Sequence, residues 1–275
     1  MRFCLIIISS FLLPFIIQGQ NVLNGPISEG RAQIESVNND PWASLNNPAV
    51  LAQIEYNSIA LAYRNSYLFT ELGTAGASFQ WKLKKSGIGL GFSRYGYSLA
   101  NESQLNFSYA LLLAEGVSMG LSFSPQIISF QNTGTLVYPN ASLGFYAKAT
   151  DKIDLAAGLK NPFSQEIDAL SKSYTQSILQ VGAAYHLVDN IDLFTEFEKN
   201  FDRPIRMKFA GEYRLEEMFA IRAGVATMPI EISYGVGLLL KAIRFDLALR
   251  QDPRLGSSGQ VGLSFDLKGK KSKSE

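Results

Sequence analysis

"QLNFSYALLLAEGVSMGLSFS", residues 104–124, decides the fold. Leu105, Phe107, Tyr109 and Leu111 alternate with Gln104, Asn106, Ser108 and Ala110, so one face is apolar and the other small or polar. After "AEG" the pattern resumes, with Val117, Met119, Leu121 and Phe123 against Ser118, Gly120 and Ser122. A period of two belongs to an extended chain whose side chains point alternately to opposite faces. Two such runs around a three-residue break read as an antiparallel hairpin.

The same period fills nearly all of the chain after residue 58. "IRFDLALR" sets Ile243, Phe245, Leu247 and Leu249 against Arg244, Asp246, Ala248 and Arg250. "QVGLSFDLK" sets Val261, Leu263, Phe265 and Leu267 against Gly262, Ser264, Asp266 and Lys268. Fourteen strands are predicted, at 58–64, 73–83, 87–95, 103–113, 117–127, 140–149, 153–160, 174–186, 191–199, 204–214, 218–227, 231–240, 243–250 and 259–268. Most exceed the ~5–6 residues usual in soluble sheets and match the ~9–11 of a tilted membrane strand.

The connections alternate in length. "KKS", "AEG", "TDK", "LVDN", "EE" and "KA" are tight, and between them fall "NSYLFTEL", "GYSLANE", "ISFQNTGTLVYP", "NPFSQEIDALSKS", "NFDR", "MPI" and "QDPRLGSS". Short turns at one end and longer loops at the other are the arrangement of an outer-membrane barrel. A soluble sandwich would have to hide twice its usual number of apolar stripes in one core. The expected fold is all-β, a transmembrane up-and-down antiparallel barrel of about 14 strands in the outer membrane of a Gram-negative bacterium.

Ahead of the barrel, residues 1–19 carry Arg2, the apolar run "FCLIIISSFLLPFII" and a small residue, Gly19, which together read as a secretory signal peptide. Cys4, the sole cysteine, lies inside it, so the predicted mature chain can form no disulfide, thiolate site or cysteine metal site. Removing Arg2 leaves 24 basic against 24 acidic residues, a balance that speaks against nucleic acid. Residues 20–57, with "NNDPWASLNNPAVLA", suit neither a regular helix nor a strand, because proline removes a donor and Asn and Asp compete with backbone hydrogen bonds. They are expected to form a periplasmic or lumenal hatch tucked into the barrel of residues 58–268, with Asp40, Trp42, Asn46, Asn47, Pro48 and Ala49 at its centre. In that reading Asn46 and Asn47 bond lumen groups. Residues 269–275 are a basic periplasmic tail.

Chemistry is sparse. "GIGLGF" places Gly87, Gly89 and Gly91 on one face, which is no dinucleotide motif and points to close backbone approach inside a barrel. His186 is the only histidine and no neighbouring motif supplies it with a serine or carboxylate, so it reads as a solvent-facing rim residue. One histidine and scattered carboxylates also make a poor metal set. No catalytic residue and no cofactor is expected. "NES", "NFS" and "NAS" fit the glycosylation pattern but carry no weight in a bacterial envelope. Asp192, Glu196 and Glu198, then Arg206 and Lys208, then Arg222, Arg244, Asp246, Arg250 and Asp266 fall on the polar faces of successive strands and are expected to pair across or line the lumen.

"DPWASLNNPAVLA" is similar to the segment near the mature N-terminus of the FadL-like outer-membrane barrels. "DLAAGLKNPFS", "LQVGAAYHLVDNIDLFTEFEKNFDRPIRMKFAGEYR", "FAIRAGVATMP" and "FDLALRQDPRLGSSGQVGLSF" extend the resemblance over residues 30–268, and within the superfamily the chain looks most like the PorV and PorQ group. The resemblance implies an accessory of type IX secretion or surface assembly, whose partners are secretion-system components or secreted surface proteins. The alternative it implies is a FadL-like transporter of a small hydrophobic ligand, with outer-membrane lipid around it in either case. The chain departs from many outer-membrane barrels in having ten residues after Phe265, and its outer loops are short for the superfamily.

Overall fold

The structure, a computed structural model, describes residues 23–131, 134–163, 166–168, 173–201, 203–216 and 218–267. The predicted signal peptide, the basic tail and parts of the loops around residues 132, 164 and 170 lie outside the described residues.

The strands are β1 (Asn57–Asn65), β2 (Gly73–Lys82), β3 (Ser86–Gly96), β4 (Ala100–Ala114), β5 (Val117–Phe130), β6 (Gly134–Thr150), β7 (Ile153–Lys160), β8 (Glu166–Asp168), β9 (Ser173–Tyr174), β10 (Ile178–Val188), β11 (Ile191–Asn200), β12 (Arg206–Leu215), β13 (Phe219–Ala226), β14 (Glu231–Leu240), β15 (Ile243–Asp252) and β16 (Gly256–Leu267). Fourteen of them pair antiparallel in chain order, with β7 joined to β10 past the β8–β9 loop, and β1 pairs with β16 from Asn57 opposite Leu267 to Asn65 opposite Gly259. That last pairing closes the sheet. β8 and β9 form a separate two-stranded hairpin in the loop between β7 and β10.

The period of two becomes an inside and an outside. Phe107, Tyr109, Leu121 and Phe123 point outward and are each about half exposed, while Ser108, Ser118, Ser122 and Ser124 face inward and are buried. The same division holds on the far wall, where Tyr234 and Val236 face out and Ser233 and Gly235 face in. An apolar outer surface of this extent is stable only against lipid, and in lipid only a closed sheet satisfies every backbone group.

Boundaries agree with the sequence reading to within a few residues, with two informative differences. β6 starts at Gly134 instead of 140, because "GTLVYP" continues the hairpin with β5 although Gly134 and Pro139 break the sequence pattern. Pro139 stands opposite Pro125, so neither strand requires a donor there from its partner. β10 starts at Ile178 instead of 174, since Ser173–Tyr174 is spent on the small hairpin.

The outward assignment is open to a direct check. Leu121→Arg should destabilise the folded barrel by about 2–4 kcal/mol in urea unfolding from phospholipid vesicles. An unchanged midpoint would mean that Leu121 does not face lipid.

Candidate functional site: the lumen and the segment inside it

Residues 23–56 leave the sheet and run within the barrel. They contain two short helices, α1 (Pro26–Gly30) and α2 (Ala43–Asn46), and a 3-10 turn at Pro48–Ala52. Sequence reading foresaw no helix here, and these are only four or five residues each. α1 packs on β14 and β15, and the 3-10 turn packs on β4, β5 and β6. Asp40, Trp42, Asn46, Asn47, Pro48 and Ala49 are all buried. Trp42 lies over Gly25, whose φ of +85° and missing side chain give the indole its place: a Cβ there would stand 2.3 Å from Trp42 Cδ1.

The wall meets this segment through glycine. A Cβ on Gly87 would fall 2.1 Å from the Leu51 carbonyl oxygen, and one on Gly120 would fall 2.4 Å from the Pro48 carbonyl carbon. Gly144, Gly182, Gly224 and Gly262 stand equally close to Asn47, Ser36, Ala32 and Pro26 on other sides of the lumen. The glycines of "GIGLGF" therefore serve close approach, here to Ser44, Leu45 and Leu51.

Where there is no glycine, inward polar side chains bond the main chain of the segment. Asn106 Nδ2 and Ser108 Oγ donate to the Ser44 carbonyl at 2.6 and 2.8 Å, and Ser118 Oγ donates to that of Ala49 at 2.8 Å. Gln80 Nε2 donates to the Asp40 carbonyl at 3.0 Å. Glu196 accepts from the backbone N–H groups of Glu35 and Ser36 at 2.9 and 2.7 Å. The two asparagines differ in what they bond. Asn47 Nδ2 reaches the Phe145 carbonyl at 3.3 Å as well as Ser36 O at 2.7 Å. Asn46 bonds only within the segment, to Asn24 O and Ser28 Oγ, because its side chain turns back toward α1.

Three charges on the segment, all missed by the sequence reading, key into the wall. Glu29 pairs with Arg250 at 2.7 Å, Arg31 with Glu212 at 2.6 Å, and Glu35 with Lys160. Arg31 also lies 4.1 Å over the Phe194 ring. Burial alone would raise the carboxyls of Glu29 and Glu35; the cations beside them, Arg250 and Arg64 for Glu29 and Lys160 and Lys208 for Glu35, hold both below the ordinary value. Asp40 differs. It accepts the Trp42 N–H at 2.7 Å, its other oxygen has no partner, and burial pushes the carboxyl up to about 6.

Most of the charges named from the sequence form ion pairs. Lys208 bridges Glu196 and Glu198 at 2.8 and 2.7 Å, Arg222 bridges Glu212 and Asp246 at 2.5 and 2.7 Å, and Arg206 pairs with Glu231. Glu196 opposite Lys208 and Glu212 opposite Arg222 are direct cross-strand partners, so correct register would have found them. Arg244 and Asp266 join no ion pair among the described residues. Asp192 pairs with Arg214 and with His186. His186 is at the rim, but carboxylates do fix it: Asp192 at 2.7 Å on Nδ1 and Asp154 at 3.1 Å on Nε2. Asp192 is its direct cross-strand partner six residues on, across the tight turn, and Asp154 comes from β7, 32 residues earlier, so the pair becomes visible only with the register. Among the described residues no three His, Cys, Asp or Glu side chains converge on a metal site.

No family model and no curated protein matches the chain in sequence. Solved structures do match. They include the P. putida toluene transporter TodX, with a TM-score of 0.70 at 11% identity over 89% of this chain and 99% of that one. They also include the CymD monoaromatic hydrocarbon channel, with a TM-score of 0.68 at 13% identity over 89% and 98%. A Pseudomonas aeruginosa FadL homologue scores 0.67 at 13% identity over 89% and 98%. At such identities the likeness establishes the fold. The shared fold is a closed barrel, and the apolar outer wall fits it to an outer membrane.

Two outcomes follow from the packing of the segment. Gly120→Val drives a side chain into the Pro48–Ala49 backbone, a clash worth about 1–3 kcal/mol or more. The segment should be displaced, so trypsin should cleave after Arg31, which is buried in the native protein, while the barrel keeps its heat-modifiable migration. Resistance equal to wild type would mean the contact is slack. The second concerns Asp40. Its folded carboxyl keeps a proton up to about pH 6, against an ordinary value of 3.8, so the stability it contributes is complete below the ordinary value and lost as pH rises through 6. Asp40→Asn should flatten the fall in stability between about pH 4 and 6, and identical slopes in the two proteins would refute the burial of the charge.

Proposed function

We propose that the protein is a FadL-like outer-membrane conduit for a small molecule, with residues 23–56 as its hatch. The observation that carries this reading is a closed fourteen-strand barrel whose lumen is occupied by its own N-terminal segment. Support comes from the neighbours of the same architecture, which are described as toluene transporters and a monoaromatic hydrocarbon channel. They favour transport of a small, largely apolar molecule over the type IX secretion role, reversing the order in which the resemblance ranked the two. Polar wall groups that grip main-chain carbonyls can exchange them for water, so the segment is held by bonds that can be remade.

The accessory role keeps one point in its favour. The glycine contacts leave the segment so closely surrounded that a barrel with a fixed plug would present loops to partners without conducting.

A tether separates the two. The Cβ that Gly182 lacks would stand 3.6 Å from Ser36 Cβ, within the ~3.5–4.5 Å of a disulfide. The double variant Ser36→Cys, Gly182→Cys should therefore lock the segment to β10, with no competing cysteine outside the predicted signal peptide. Toluene uptake into proteoliposomes should be lost on oxidation and restored by reductant. Equal uptake by oxidised and reduced protein would end the hatch. No uptake by any form, the parent included, would end transport and leave the accessory reading.

A further inference from the structure

The outward face of the wall is not uniform. Across β4, β5 and β6 it carries an apolar groove of about 550 Å³, lined by Phe107, Leu121, Phe123, Ala141 and Leu143. All five share the parity of the lipid-facing stripe, and the four larger side chains are exposed. Ala141 stands directly opposite Phe123, so a methyl group faces a phenyl ring and the wall is dented there.

The groove also has a brow. Beyond β7 the chain bends at Asn161, whose φ is +50°, and brings Pro162 and Phe163 against the groove. The bend is pinned. The Asn161 N–H donates to the Ala141 carbonyl at 2.7 Å, Asn161 Nδ2 donates to the Gln176 carbonyl at 3.2 Å, and Ser177 Oγ donates to the Asn161 carbonyl at 2.5 Å. Pro162 then fixes the next φ. Phe163 is 81% exposed, the highest value of any large apolar side chain among the described residues. A phenyl ring held on a pinned bend and left bare by its own chain gains by being covered from outside.

Two observations say by what. The groove is continuous with the apolar outer wall, so the medium against it is the hydrocarbon of the membrane. The sheet behind it is shut: β4 pairs with β5 from Phe107 opposite Phe123 to Leu112 opposite Ser118, and β5 with β6 from Val117 opposite Ala147 to Phe130 opposite Gly134. A molecule in the groove therefore arrives from the bilayer and not from the lumen. The volume lies within the ~300–1,000 Å³ usual for a bound small molecule.

We propose that this groove binds an acyl chain of a membrane lipid, held between the β4–β6 wall and Phe163 for longer than lipid along the rest of the barrel. The site rests on the outward face alone. It is independent of whether residues 23–56 move and of what the lumen carries.

The full barrel, extracted from its own outer membrane and exchanged through detergent, tests this when its retained lipid is counted by mass spectrometry. A fixed complement of lipid should survive the exchange. Ala141→Phe, which fills the dent, should reduce it several-fold, and Ala223→Phe, which sets the same ring on the outward face of β13, should not. A reporter that leaves the dent intact gives a second reading: Phe163→Trp combined with Trp81→Phe, since the remaining Trp42 is buried in the lumen. Phosphatidylcholine with brominated acyl chains, added in detergent micelles, should quench the reporter saturably, and unbrominated lipid should reverse the quenching. Equal retention by wild type and Ala141→Phe, equal loss in both alanine variants, or quenching linear in added lipid would reduce the contact to ordinary boundary lipid and overturn the site. Quenching reversed by toluene but not by lipid would give the groove to an apolar cargo. A barrel that elutes as a dimer only while Ala141 is unchanged would give it to a second copy.

Discussion

A backbone in lipid has no water to bond with, and everything else in this protein follows from satisfying that condition. The pairing of β1 with β16 ends the sheet on itself and leaves no edge within the wall. Closure also fixes the fate of the second face. Once Leu, Phe and Tyr are committed to lipid, the Ser, Gln, Arg and Glu between them are forced together in an enclosed lumen, where each needs a partner. The lumen charges are a consequence of the barrel before they are a device of function.

The segment is the solution to that enclosed space. Its irregular backbone offers carbonyls and N–H groups at many angles, and Asn106, Ser108, Ser118, Gln80 and Glu196 use them. Glycine brings the wall close enough for those bonds to form. Buried ion pairs add little net stability, since desolvation offsets most of their attraction, but a mismatched one is costly. Glu29, Arg31 and Glu35 therefore act chiefly to fix where the segment lies, each finding its opposite charge on a different part of the wall. A single shift of register would break all three.

What the sequence discloses tracks how local the cause is. Strand existence depends on a period visible within eight residues, so β7 and β14 agree residue for residue with the reading of 153–160 and 231–240. The side of the sheet that Lys208 and Arg222 occupy depends only on parity, which the strand sequence carries. The start of β6 was not, because Gly134 and Pro139 read as breakers and only the facing Pro125 makes them tolerable. His186 depends on register: Asp192 faces it across the tight turn and Asp154, 32 residues earlier, sits on the adjacent strand of the barrel, so neither stood out as its partner in the sequence. Glu29, Arg31 and Glu35 sit in a stretch with no period at all, and nothing short of the folded lumen reveals their partners.

The same reasoning bears on what passes or binds. Likeness of backbone to hydrocarbon channels concerns the wall, which lipid dictates, and so it constrains the lumen weakly. The lumen of this chain carries its own composition: glycine where the segment presses, carboxylate and amide where it is held, and cations where it ends. Lys160, Arg206 and Lys208 each face a carboxylate, so these charges of the lumen are spent on holding the wall and the segment together. A small molecule that crossed would have to displace the segment from these partners, so the path is set by the contacts of the segment and not by the outline of the wall.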